Sequence, residues 1–130
     1  MGQQQLLLIV IGVVIVGIST LIGISLFGAM SVEENKDAIV NDITILSSNA
    51  FQYYCRPNSM SGGNFSYSGY TIPVKLQSTE NATYSIVGSP ASNITLKGTS
   101  VNNTTNTVTV TLGTDGKPVS GSWSFGGEFQ

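Results

Sequence analysis

The run from Leu6 to Met30, LLLIVIGVVIVGISTLIGISLFGAM, constrains this chain more than any other stretch. Its 25 residues contain no charge and no proline. As a helix rising about 1.5 Å per residue it would reach about 37 Å, enough for a hydrocarbon layer of roughly 30 Å. A chain of 130 residues leaves space for one compact domain beside this run and does not call for a second core. The run must therefore be covered by lipid, by a partner or by copies of itself.

Composition removes several function classes. Charged residues make up 9% of the chain, five basic against seven acidic, so the basic footprint that nucleic-acid binding needs is missing. There is no histidine and a single cysteine, Cys55. Zinc clusters, Ser/His and Cys/His catalytic sets and an intrachain disulfide are thereby excluded. The seven acids are dispersed, with no paired carboxylates in a catalytic setting, and neither an enzyme activity nor a cofactor or metal is expected. Beyond residue 56 the chain is rich in Ser, Thr, Asn and Gly, which suits an extracellular surface.

The segment before the run, Met1-Gly2-Gln3-Gln4-Gln5, is short and uncharged, unlike the basic start of a secretory signal, and no small-residue cleavage site closes the run. Retention of the run is expected. No Lys or Arg precedes it, and Glu33, Glu34, Lys36 and Asp37 follow it, which favours a cytoplasmic N-terminus with the bulk of the chain outside. Gly12, Gly17, Gly23 and Gly28 recur through the run beside Ser19, Thr20 and Ser25. Such residues are ordinary in membrane helices, and they also permit close helix approach and bending.

From Val32 the pattern turns amphipathic, with no Gly or Pro until Pro57. Ile39, Ile43, Leu46, Ala50 and Tyr54 share one face of a 3.6-residue repeat, while Asp37, Asn41, Thr44, Ser48 and Gln52 lie largely on the other side. One helix over about residues 4–55 is expected, apolar all round in its first half and striped in its second. Arg56-Pro57 ends it, because proline disfavours helical geometry in the residue before it. A Gly/Ser/Asn loop follows over 56–70. In region 71–130, Tyr70–Leu76 is a candidate edge strand because Pro73 argues against a central place. Thr83–Val87, Asn93–Lys97 and Thr107–Leu112 read as strands, and the turn Gly113-Thr114-Asp115-Gly116 leads into Val119–Phe125. The fold class is therefore α+β, a roughly four-stranded antiparallel sheet backed by the helix stripe, with Trp123 joining that helix-sheet core.

A short polar leader ending in Gly, a long uncharged helix that turns amphipathic midway, a loop and then an antiparallel sheet: this layout resembles the type IV pilin family. The opening Gly2-Gln3-Gln4-Gln5-Leu6-Leu7-Leu8 and the helix end Gln52-Tyr53-Tyr54 before Arg56-Pro57 resemble a group of short bacterial pilin-like proteins, and Gly-Gln at the cut also resembles archaeal pilins. The resemblance implies a leader of residues 1–2, removed between Gly2 and Gln3 by a prepilin peptidase, with methylation of the new N-terminus. It implies residence in the cytoplasmic membrane as precursor, then export by the inner-membrane pilus assembly machinery into an extracellular filament of copies of this chain. Its filament core would use Leu6, Leu7, Leu8, Ile11, Ile15, Ile18, Ile22 and Leu26. Two positions depart from the family pattern: Gln3 stands where Phe is common, and Leu7 where a registering glutamate is common. Amide hydrogen bonding by Gln3, Gln4 and Gln5 is a candidate replacement, with a polar cap at the lipid headgroups as the alternative use.

Two other functional classes fit the same layout, a pseudopilin-like component of a secretion or DNA-uptake machine and a single-pass membrane-anchored binding protein. Asn64, Asn81, Asn93, Asn102 and Asn103 each begin an N-x-[ST] sequon, as candidate glycan acceptors or as ordinary turn polarity. Cys55 is expected to pack as a small hydrophobe, with an intersubunit disulfide as the sharper alternative. Glu33, Glu34, Lys36 and Asp37 are expected to form a solvated helix face with a Glu33/Lys36 pair, with subunit contacts as the alternative. Tyr53, Tyr54, Tyr67 and Tyr70 are expected in the core rather than on a binding surface.

Overall fold

The computed structural model describes residues 2–130, in which α1 spans Gly2–Cys55 without a break. Two compact units divide the chain, the first ending at Glu33 and the second covering Glu34–Gln130. Within the second unit the absence of Gly and Pro lets α1 run on, and its 3.6-residue stripe buries Ile39, Ile43, Leu46, Ala50 and Tyr54. Ser47 is buried on the same side, and its hydroxyl donates to the Ile43 carbonyl at 2.7 Å, so no polar hydrogen is left unmatched.

The end of α1 is closed by the chain that follows it. A helix leaves its last carbonyls without partners, and here the loop supplies the donors. Gly63 donates its N–H to Tyr53 at 2.8 Å, Phe65 to Tyr54 at 2.7 Å and Asn64 to Arg56 at 2.9 Å. Wrapping so tightly takes left-handed backbone at Ser61, Asn64 and Phe65 (φ 58°, 49° and 65°) after the 3₁₀ turn Asn58–Met60. Tyr67 then inserts fully buried, with its hydroxyl donating to the Gly113 carbonyl at 2.7 Å.

The sheet is an antiparallel meander in the order β1-β2-β3-β4, formed by β1 (Ala82–Gly88), β2 (Ile94–Ser100), β3 (Thr107–Leu112) and β4 (Ser124–Gly126). Alternation does the sorting: Ala82 and Tyr84, then Ile94, Leu96 and Ser100, then Val108, Val110 and Leu112 are buried. Cross-strand partners match, Ile94 with Leu112 and Leu96 with Val110, while the opposite face carries a hydroxyl pair between Thr95 and Thr111 at 2.9 Å. At Gly98 the sheet comes close to α1. A Cβ there would lie 2.9 Å from both the Ile39 Cγ2 and the Tyr84 ring. The fold is thus α+β, a pilin-like architecture in which a long N-terminal helix packs on an antiparallel sheet.

Several expectations change in the details. Tyr70–Leu76 is not a strand: Ile72 is buried, and Pro73 starts the single turn α2 (Val74–Gln77). The strand expected over Val119–Phe125 shrinks to β4, because residues 113–122 form successive turns closed by Gly113 to Lys117, Gly116 to Gly113 and Ser122 to Val119 hydrogen bonds. Trp123 therefore precedes the first β4 pair, Ser124 with Thr109, and does not enter the core. It is half-exposed and stacked on Phe125 with centroids 6.2 Å apart. The buried aromatic at this end is Phe129, in the 3₁₀ turn Gly127–Phe129. Asn106 holds that turn in place, accepting from the Glu128 N–H at 2.8 Å and donating to its carboxylate at 2.9 Å. Cys55 is exposed rather than packed, since one residue past Tyr54 is about 100° around the helix from the stripe.

Candidate functional site

The surface with the strongest physical demand lies on the first unit. Every described residue from Gly2 to Ser31 is exposed. Seventeen of them are large apolar side chains, from Leu6 to Met30. Leu6, Leu7, Leu8, Ile11, Ile15, Ile18, Ile22 and Leu26 are between 45% and 69% exposed. Val10, Val13, Val16, Leu21, Ile24 and Phe27 are equally uncovered and lie at other angles round the helix, so the apolar surface is a full circumference, not a stripe. The residues named for a filament core leave these out, whereas the uniform apolarity of the run includes them.

Burying one such side chain is worth about 1.5 to 3 kcal/mol, so leaving the whole set in water would cost on the order of 25 kcal/mol. That exceeds the roughly 5 to 15 kcal/mol by which a domain is stable. By length and composition the helix can cross a membrane, and it is compatible with membrane insertion. Its few polar groups suit a dry setting: the Thr20 hydroxyl donates back to the Val16 carbonyl at 2.8 Å. Gly2 and Gln3 form part of the first turn of α1, both exposed.

Polar positions of the second unit are tied into the fold to different degrees. One Asp42 oxygen accepts from the Tyr84 hydroxyl at 2.6 Å, Thr79 at 3.0 Å and the Asn81 amide at 3.4 Å. Asn81 is half-buried with its amide turned to Asp42, and Asn103 is half-buried with its amide oxygen accepting from Thr105. Asn93 is half-buried, while Asn64 and Asn102 are exposed. Lys36 lies with its ammonium 4.3 Å above the Phe125 ring, a cation–π contact on the face where a pair with Glu33 was expected. Tyr54, Tyr67 and Tyr70 are buried, and Tyr53 is half-buried. Burial pushes the Tyr67 and Tyr70 phenols up to about 12, with Tyr54 and Asp115 adding to the effect on Tyr67. Tyr84 is raised by burial first and by its bond to Asp42 next.

No family model, curated protein or solved structure matches the chain. The functional reading therefore stands on the geometry of the two units.

Proposed function

We propose that this chain is the structural subunit of an extracellular filament of the type IV pilin kind, polymerising through Leu6 to Met30. The observation that carries the reading is the uncovered apolar circumference of the first unit beside a second unit whose core is already complete. Lipid around a membrane anchor would cover the same circumference. The bundle of identical helices in a filament core uses every side of it, and moving from lipid to bundle exposes no apolar surface to water. A contact between different patches of neighbouring copies, repeated without closure, extends as a helical filament. The precursor would sit in the cytoplasmic membrane, be cut between Gly2 and Gln3 and be exported by assembly machinery. In a registering role, Gln3, Gln4 and Gln5 would hydrogen-bond to neighbours where Leu7 has no charge to offer.

The test is electron microscopy of the extracellular fraction with N-terminal sequencing of the filaments. Filaments made chiefly of this chain and beginning at Gln3 are expected, and Ile15→Asp should abolish them while leaving the second unit folded. A chain confined to the membrane fraction, or filaments indifferent to Ile15→Asp, would reject the proposal in favour of a machine component or a single-pass binding protein.

A further inference from the structure

The second unit carries a recess of about 270 Å³ between the end of α1 and the loop that crosses it, lined by Asn49, Tyr53, Arg56, Ser61, Tyr70 and Thr71. Asn49 and Tyr53 are one turn apart on α1 and Arg56 follows the last turn, which brings all three to one side. The volume lies near the lower limit of roughly 300 Å³ for small-molecule sites, a fit for one sugar ring and not for a peptide.

The walls are fixed before any ligand arrives. The Tyr53 and Tyr70 rings meet at 5.3 Å, tilted by 57°. Tyr53 donates its hydroxyl to the Ser68 carbonyl at 3.1 Å, and Tyr70 donates its own to the Asn49 amide oxygen at 2.7 Å. Gly69, at φ 83°, lets the loop pass close to Tyr53: a Cβ there would sit 3.3 Å from the tyrosine oxygen. With Tyr70 donating to the Asn49 oxygen, the Asn49 side-chain N–H groups remain to donate into the recess. Arg56, Ser61 and Thr71 are exposed at the rim, adding a guanidinium and two hydroxyls. No acidic side chain lines the space.

Amide donors, a guanidinium, rim hydroxyls and the half-buried Tyr53 ring, on which the C–H face of a sugar can lie, suit an anionic ring rich in hydroxyls. We infer that this recess binds a carboxylated monosaccharide unit, such as the hexuronate of an acidic polysaccharide, with Arg56 on the carboxylate, Asn49 and Thr71 on ring hydroxyls and Tyr53 against the ring. The guanidinium fork matches a carboxylate in two parallel bonds, which a neutral hexose cannot use. The site lies wholly in the second unit and is independent of how the first unit is covered.

The test is an NMR titration of the full chain in detergent micelles with D-glucuronate, glucose and acetate as separate probes. Glucuronate should saturate shifts at the Asn49 side-chain amide, Tyr53 and Thr71, more tightly than glucose or acetate. Arg56→Gln, at an exposed position outside the core, should weaken glucuronate about tenfold or more while leaving the remaining spectrum in place. Absence of glucuronate binding, equal affinity in Arg56→Gln, or acetate binding as tightly as glucuronate would each overturn the inference.

Discussion

At the scale of single residues, the second unit is held by polar side chains that bond between elements far apart in sequence. Tyr84 is the sharpest case: it is buried in β1 beneath α1, and its hydroxyl reaches the Asp42 carboxylate at 2.6 Å. Bonds to charged groups contribute about 1.5 to 3 kcal/mol net, so Tyr84→Phe should lower stability by about 2 kcal/mol in chemical denaturation, the carboxylate keeping Thr79 and Asn81. Tyrosines also set the alkaline limit. Tyr67 and Tyr70 ionise near 12 in the folded chain and near 10 in the unfolded one. Below pH ~10 both states hold the proton and stability is flat; above it only the unfolded state releases protons, so folding weakens up to pH ~12. A denaturation midpoint that stays constant to about pH 10 and then falls is the expected profile, and replacing Tyr67 and Tyr70 by Phe should reduce the fall.

At the scale of elements, the decisive contact is that between α1 and the middle of the sheet. Gly98 in β2 has no side chain where Ile39 and Tyr84 converge, and a methyl group at 2.9 Å from both must displace one of them. Gly98→Ala should therefore cost about 1 to 3 kcal/mol, read as a lower thermal midpoint with retained helix and sheet content. Ile39→Val in the same background should recover none of the loss, because it removes Cδ1 and keeps the Cγ2 methyl that the new Cβ meets. The stripe on α1, the alternation in β3 and the stop at Pro57 were legible from spacing alone, because periodicity records which side faces the core. Trp123 and the strand expected over Val119–Phe125 were not. Their alternation was real, yet residues 113–122 close mostly on themselves in turns, with the Val119 N–H reaching Thr111 of β3, and the C-terminal place in the core is filled by Phe129. Loop closure of this kind leaves no periodic trace. Nor does a wrap around a helix end, where Phe65 adopts a left-handed backbone that an aromatic residue rarely takes.

At the scale of the whole molecule, the two units make opposite demands. Glu34–Gln130 has its own complete core, so a chain starting at Glu34 should fold cooperatively and sediment as a soluble monomer, with the same circular dichroism minimum for its sheet. Aggregation or loss of cooperative unfolding in that truncated chain would show that the first unit contributes to the fold. The sequence by itself determined that a long uncharged run must be covered by something other than this chain, and that a striped helix would back an antiparallel sheet. Both follow from composition and spacing, which fix how much apolar surface exists and in which direction it points. Tertiary structure alone decided that Trp123 stays outside the core, and that Asn49, Tyr53, Arg56 and Thr71 meet round one recess. Those facts depend on where loops of irregular backbone close, which is settled by hydrogen bonds between distant residues and not by any local pattern.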